Sequence, residues 1–336
     1  MPDASGQSFL VVRLGSLGDL VHTLPAVAAL RSSFPEARLD WVVERKWSAL
    51  LDLVVGVNEV IPLDRSFAGL RACVRRLRST RYGCAIDFQG LYKSAVLGWL
   101  SGAPRRVGFD GNTARESGSA WFYTDRVRPT GRHVAEMNLN LAARVGAKPE
   151  AGMRFPLSVP EEEMRCMCER LAAEGVTSYF VVSPGGGWKS KCWPPERYGA
   201  LCAQLWHRYG LRAVVNTGPG EESLAAAVVL AAAPAQPIVL MPSLKELAAL
   251  LEGAKLMVAA DTGPLHLAAA LGTPVVALFG PTDPERNGPR PGGAVVRNAS
   301  VEATTYKRSD VYSPAMLSLT VDQVVSAAAQ QMSVNA

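Results

Sequence analysis

The chain has no long hydrophobic run. Its longest apolar stretch, residues 224–237, is Ala-rich and broken by Pro234, too short and too interrupted to span a bilayer. No basic segment precedes an apolar core at the N-terminus, which begins Pro2-Asp3-Ala4-Ser5-Gly6. A secretory signal is therefore not visible, and a cytoplasmic location is expected. The six cysteines are scattered, and only Cys166 and Cys168 lie close together. Without a second pair or a histidine cluster they make no zinc site, and reduced structural thiols are expected. Asp-x-Asp is absent, which removes the usual carboxylate clamp for a divalent metal on a diphosphate. Gly-x-Gly-x-x-Gly is absent too, which argues against a nicotinamide oxidoreductase.

What is present describes a globular α/β protein. A length of 336 residues suggests two domains, and 48% hydrophobic with 19% charged residues leaves disorder no support. The net charge of +5 is unevenly placed. Residues 1–150 hold 20 Lys and Arg against 14 Asp and Glu, whereas residues 151–336 hold 15 against 16. The first half is thus suited to an anionic partner, including one at a membrane surface. No aromatic-studded basic motif accompanies the charge, so a nucleic acid is not the expected partner.

Apolar runs predict strands at Phe9–Leu14, Leu39–Val43, Glu59–Leu63, Cys84–Phe88 and Arg106–Gly108, each followed by helical periodicity. After a breaker-rich linker from Gly146 to Pro160, a second series is predicted at Tyr179–Ser183, Ala213–Asn216, Ile238–Leu240, Leu256–Ala260 and Val275–Phe279. Strand alternating with helix predicts parallel, doubly wound sheets, giving two facing Rossmann-like domains with an inter-domain cleft. The boundaries read as residues 1–155, 156–318 and a closing helix in 319–336. Thr320 and Gln323 have the spacing of a capping box for that helix.

The polar residues at strand ends carry the chemistry. Asp261-Thr262-Gly263-Pro264-Leu265-His266 joins a strand to a helix, where free backbone N–H groups and the helix dipole suit a phosphate. Gly185-Gly186-Gly187-Trp188-Lys189-Ser190-Lys191 lets a ligand approach the backbone beside two lysines, although a flexible surface loop would read the same. Glu221 or Glu222, after Gly218-Pro219-Gly220, offers a carboxylate to a ribose, or is simply an acid in a first helical turn. In the first half, Gly15-Ser16-Leu17-Gly18-Asp19 permits a tight turn and places Asp19 at a loop–helix junction. That position serves a general base or a helix-start acid equally well. His22 lies one turn on. Arg13, at the end of a buried strand, must find a partner. Arg71, Arg75, Arg76 and Arg78 are spaced as a solvated helix face.

Together these segments resemble glycosyltransferase family 9, the bacterial lipopolysaccharide heptosyltransferases. The resemblance rests on Gly18-Asp19-Leu20-Val21-His22-Thr23-Leu24-Pro25, Asp87-Phe88-Gln89-Gly90-Leu91-Tyr92-Lys93-Ser94 and Thr113-Ala114-Arg115-Glu116. It continues in Lys191-Cys192-Trp193-Pro194 and in Asp261-Thr262-Gly263 through Gly280-Pro281-Thr282-Asp283-Pro284. The sequence is most like the heptosyltransferase I branch, judging from Asp40-Trp41-Val42-Val43-Glu44. It departs from that pattern at Gly185–Gly187, and again over Arg65–Arg81, which is shorter and less basic.

The resemblance implies a GT-B fold and inverting, metal-independent transfer of L-glycero-D-manno-heptose from ADP-heptose to Kdo of the lipopolysaccharide inner core, without a cofactor. It implies Asp19 as the base and Lys191 as its catalytic partner. The donor would be bound by Gly185, Gly186, Glu221, Asp261, Thr262, Gly263, Leu265 and His266. A Kdo-lipid A acceptor at the inner membrane surface would meet Arg13, Gly18, Lys93, Arg115 and His133. The closing helix would pack back on the first domain, as GT-B enzymes arrange it. The alternatives are a different family 9 sugar or acceptor, as in a heptosyltransferase II, an epimerase of the same architecture, and a non-catalytic sugar-nucleotide-binding protein.

Overall fold

The computed structural model describes residues 7–148, 152–301 and 303–334, so residues 149–151 of the expected linker lie outside the described residues. The chain divides into two compact units, residues 1–158 and 159–336. The first contains β1 (Ser8–Val12), β2 (Arg38–Glu44), β3 (Glu59–Leu63), β4 (Cys84–Asp87), β5 (Arg105–Phe109) and β6 (Asp125–Val127). They form one parallel sheet in the order β3-β2-β1-β4-β5-β6. The second contains β7 (Tyr179–Ser183), β8 (Arg212–Asn216), β9 (Ile238–Leu240), β10 (Met257–Ala260), β11 (Val275–Phe279) and β12 (Ala294–Arg297). These are also all parallel, in the order β12-β11-β10-β7-β8-β9.

In each sheet the chain builds outward from a central strand, then returns to build the other side. The reversal falls between β1 and β4 in the first unit and between β7 and β10 in the second. Ligands of open parallel sheets bind at the carboxyl ends of the strands at such a reversal. The motifs that begin at Arg13, Asp87, Gly185 and Asp261 each start at or just beyond the end of one of these four strands. The central strands are covered on both faces, so they read as unbroken apolar runs: every residue of β7 and of β11 is buried.

The sequence reading misses β6 and β12, both at sheet edges. Asp-Arg-Val and Ala-Val-Val-Arg are three and four residues long with part-exposed positions, too short to carry a period. β1 ends at Val12, two residues before its predicted end, because the next residues leave the ladder for other partners. The Arg13 guanidinium donates to the Phe88 carbonyl, and the Leu14 N–H donates to Gln89 Oε1 at 2.8 Å. The helical periodicity after β1 resolves into two helices, Leu17–Val21 and Leu24–Ser33, with Pro25 in the first turn of the second. Both are buried nearly all round, which periodicity cannot show.

The boundary between units falls three residues beyond the expected one. The Val55 N–H donates to the Pro156 carbonyl at 2.8 Å and the Ser158 N–H to the Leu53 carbonyl at 2.9 Å, which ties residues 156–158 to the first unit. The closing helix, Val321–Val334, starts with the expected cap: Thr320 and Gln323 exchange side-chain bonds at 2.9 and 3.3 Å. The resemblance assigns this helix to the first domain. Its Val324, Val325 and Ala328 enter the core of the second unit, beside helix Pro195–Tyr209 and strands β11 and β12. No helix among the described residues is long and apolar enough to cross a membrane.

Candidate functional site

Asp19 organises the polar rim of the first sheet. Its carboxylate Oδ1 lies 2.5 Å from Arg13 Nη2 and 2.9 Å from Arg115 Nη2. Its Oδ2 accepts from the Ser16 N–H at 3.1 Å and the Ser16 hydroxyl at 3.2 Å. Arg13 is the partner-seeking charge at the strand end, now 2% exposed, while Arg115 is 42% exposed. Burial alone would raise the Asp19 carboxyl; the two guanidiniums outweigh it and hold the group well below the ordinary carboxylate range. Asp19 is therefore an anion at every physiological pH.

A second carboxylate holds this arrangement in place. Asp87, at the end of β4 and buried, accepts from the Gln89 N–H at 2.8 Å, the Ser94 hydroxyl at 2.8 Å and the Tyr123 hydroxyl at 2.7 Å. The turn so fixed supplies the Phe88 carbonyl to Arg13. It also brings Gly90, at φ +67°, against the following loop, where an added Cβ would stand 3.3 Å from the Arg115 nitrogen. The Glu116 N–H donates to the Gly90 carbonyl at 3.0 Å. Asp87 thus sets the position of both arginines without touching either. Sequence reading finds the motif but gives Asp87 no task; an acid at the end of a buried strand is the available signal.

Other residues expected at an acceptor fare differently. Lys93 is half-exposed and lies 3.1 Å from Glu44, which also receives Arg65 at 3.0 Å. Those contacts occupy the carboxylate at the end of β2. Gly18 is buried inside the short helix after the Gly15–Ser16 turn. His133, expected to face the acceptor, is buried; its Nδ1 accepts the Ala135 N–H at 3.2 Å and caps helix Val134–Arg144. Its ring meets that of His22 edge-on at 5.2 Å, and both histidines belong to the packing. On helix Phe67–Thr80, Arg76 pairs with Glu59, while Arg71, Arg75 and Arg78 are exposed, as the solvated-face reading expects.

In the second unit Asp261 plays the corresponding part. Its Oδ2 lies 2.7 Å from Lys191 Nζ and its Oδ1 3.0 Å from His266 Nε2. Burial would raise this carboxyl, but the hydrogen bond from His266 and the charge of Lys191 hold it well below the usual range. Thr262 precedes helix Gly263–Ala270, with Pro264 in its first turn and Leu265 buried. Among the described residues, the buried Thr262 hydroxyl has no hydrogen-bond partner. A helix N-terminus and an unpaired hydroxyl are groups that suit a phosphate oxygen.

Lys191 sits on a single turn, Lys189–Lys191, after the glycine loop. Trp193 anchors that turn: it is fully buried, and its Nε1 donates to the Leu319 carbonyl at 3.0 Å. This brace from the C-terminal segment has no sequence signal beyond the tryptophan itself. Of the two glutamates, Glu221 carries its carboxylate into the loop. It accepts the Gly218 N–H at 2.8 Å, and it fills the space a Cβ on Gly185 would need. Glu222 is exposed and bonds Gly220. Gly186 packs on Cys192, whose sulfur a Cβ there would approach to 2.8 Å. Among the described residues no three His, Cys, Asp or Glu side chains converge as metal ligands.

A model of glycosyltransferase family 9 (heptosyltransferase) matches residues 70–315. Lipopolysaccharide heptosyltransferase 1 of Pseudomonas aeruginosa is 33% identical over 289 residues, 82% of this chain and 79% of the relative. Its namesake from Escherichia coli K12 is 31% identical over 296 residues, 82% of this chain and 88% of the relative. The solved structure of E. coli heptosyltransferase WaaC with ADP superposes with a TM-score of 0.78 at 28% identity, over 98% of this chain and 100% of that one. A family 9 glycosyl transferase from Veillonella parvula superposes at 0.84 over 98% of both chains with 23% identity, which speaks to fold alone. The two parallel sheets are those of a GT-B glycosyltransferase. On the matched residues and the identity across most of its length, the chain belongs to glycosyltransferase family 9, the heptosyltransferases.

Proposed function

We propose that this chain transfers L-glycero-D-manno-heptose, with inversion, from ADP-heptose to a Kdo sugar of nascent lipopolysaccharide, the activity of a heptosyltransferase I. The observation that carries the reading is the rim of the first sheet. There an ionised Asp19 is flanked by Arg115, a half-exposed cation of the sign an acidic sugar calls for. The names of the relatives, heptosyltransferase 1 in Pseudomonas and E. coli, support the sugar and acceptor, and the E. coli structure with ADP supports the donor.

Asp19 takes the proton from the acceptor hydroxyl as the bond from the anomeric carbon to ADP lengthens. The negative charge that builds on the leaving diphosphate is met by the Lys191 ammonium and the backbone N–H groups of Thr262, Gly263 and Leu265. Glu221 holds the ribose. The test is ADP release from ADP-heptose with and without Kdo-lipid A. Release that requires the acceptor supports the reading. Donor turnover without acceptor points to epimerase-like chemistry, and no release with any lipopolysaccharide acceptor sinks the proposed substrates.

An acceptor of this kind is anchored in a membrane, and the first unit has a face suited to one. Helix Phe67–Thr80 contains four arginines and no acid, and exposes Phe67 and Leu70 beside Arg71, Arg75 and Arg78. Arg78 donates to the Leu100 carbonyl at 3.0 Å, which joins this helix to the next, where Trp99 is exposed. The adjoining turn exposes Trp121. Aromatic rings beside arginines fit the headgroup region of an anionic bilayer. The protein should therefore sediment with phosphatidylglycerol vesicles and not with phosphatidylcholine ones, and Phe67→Ser with Trp121→Ser should weaken the binding. Equal partition with both lipids would remove this face from the role.

A further inference from the structure

The charges around Lys191 do not balance a diphosphate. Its ammonium is 2.7 Å from Asp261, a carboxylate held ionised in the same cluster, so much of its charge is cancelled before any ligand arrives. A nucleoside diphosphate carries at least two negative charges that the site must meet. Two more cations stand beside this cluster. The Arg308 guanidinium lies 5.3 Å from the centroid of Trp188, the same ring that Lys191 Nζ approaches at 4.8 Å. Lys189 Nζ lies 4.8 Å over Tyr312. The two segments are tied together, since the Ser190 N–H donates to the Ser309 carbonyl at 3.2 Å. Among the described residues neither Arg308 nor Lys189 has a carboxylate within ion-pair distance. Ser190, between the two lysines, is buried with a hydroxyl that no described residue satisfies.

We propose that Arg308, stacked on Trp188, is a second phosphate-binding cation of the nucleoside-diphosphate site, with Lys189 beside it. The inference rests on the donor reading above and extends it to a residue outside the family-like motifs. A guanidinium packed on an aromatic face keeps its N–H edge available, and that edge matches phosphate oxygens in a way an ammonium does not. Trp188 thus orders Arg308 and shields Lys191 on one surface. The net positive charge that Lys191 alone cannot offer then comes from the segment that follows β12.

Calorimetric titration with ADP tests this directly. Arg308→Ala should bind ADP roughly tenfold more weakly than wild type, with a shallower dependence on salt, as expected when one charged hydrogen bond to the ligand is removed. Arg308→Lys should fall between the two. Arg165→Ala, which removes a surface arginine from helix Glu161–Ala173, should bind as wild type. Because Arg308 is exposed, its variants should melt as wild type does. Wild-type affinity in Arg308→Ala overturns the inference and leaves the donor reading standing. A wild-type chain that binds no ADP overturns both.

Discussion

Asp19→Asn is expected to lower acceptor-dependent ADP release by ~10²–10⁴-fold, the usual contribution of a positioned general base. Asparagine keeps the shape of the side chain and an oxygen for the Ser16 N–H. It removes the site for the proton and the counter-charge for two arginines. Asp19→Ala should be worse in a different way. In both variants Arg13, 2% exposed, is left as a buried charge without its carboxylate, a change that costs roughly 3–5 kcal/mol, but only asparagine leaves it an oxygen to donate to. The alanine variant should therefore melt well below the asparagine variant, while both lose turnover. An asparagine variant that works at a rate near wild type would remove Asp19 from the role of base.

The same ion pairs set a pH dependence. Arg13 and Arg115 hold Asp19 below its ordinary value, so it is deprotonated through the neutral range. The acid limb of kcat/KM should then fall below about pH 4, the region of an unperturbed aspartate. Removing one guanidinium with Arg115→Ala should move that limb upward. An acid limb close to neutrality in the wild type would show that another group controls the step.

Lys191→Met carries the second large expectation. Turnover should fall by ~10²–10³-fold, the scale seen when one donor to a developing anion is removed. Stability should suffer as well, since Asp261 keeps a buried charge and loses the ammonium 2.7 Å away. The sign with pH follows from the direction of the shift. Asp261 sits below its ordinary value in the folded chain, so its contribution is present above about pH 4 and is lost on further acidification. Wild type should lose melting temperature as the pH drops through that range. The methionine variant should start lower and lose less. Equal melting curves and equal rates would take both the ion pair and the charge stabilisation away from Lys191.

The strands that hold the site are legible because they are buried on both faces, which makes them apolar without interruption. β7, β10 and β11 announce themselves in this way, and the motifs can be placed at their ends. β6 and β12 are missed because they are short edge strands that carry charges, Asp-Arg-Val and Ala-Val-Val-Arg, whereas β9, an edge strand of three residues too, is wholly apolar and is found. Within the site, residue types are visible and their partners are not. Arg13 reads as a charge that must be paired, yet its contact with Asp19 depends on a turn that Asp87 fixes from another strand. His133, which the resemblance places at the acceptor, also caps a helix in the interior, a contact with no sequence signal. Arg308 carries no motif at all. Its place beside Lys191 follows from one backbone bond between Ser190 and Ser309.

The brace between Trp193 and Leu319 and the burial of Val324, Val325 and Ala328 bear on how the protein is made. A nascent chain emerges from its N-terminus and domains tend to fold as they appear. The first unit, through Ser158, has all its strands long before synthesis ends. The second lacks part of its core, and the support for Lys191, until the final helix leaves the ribosome. A polypeptide interrupted late in translation would carry a first unit with its sheet complete and a second unit short of part of its core.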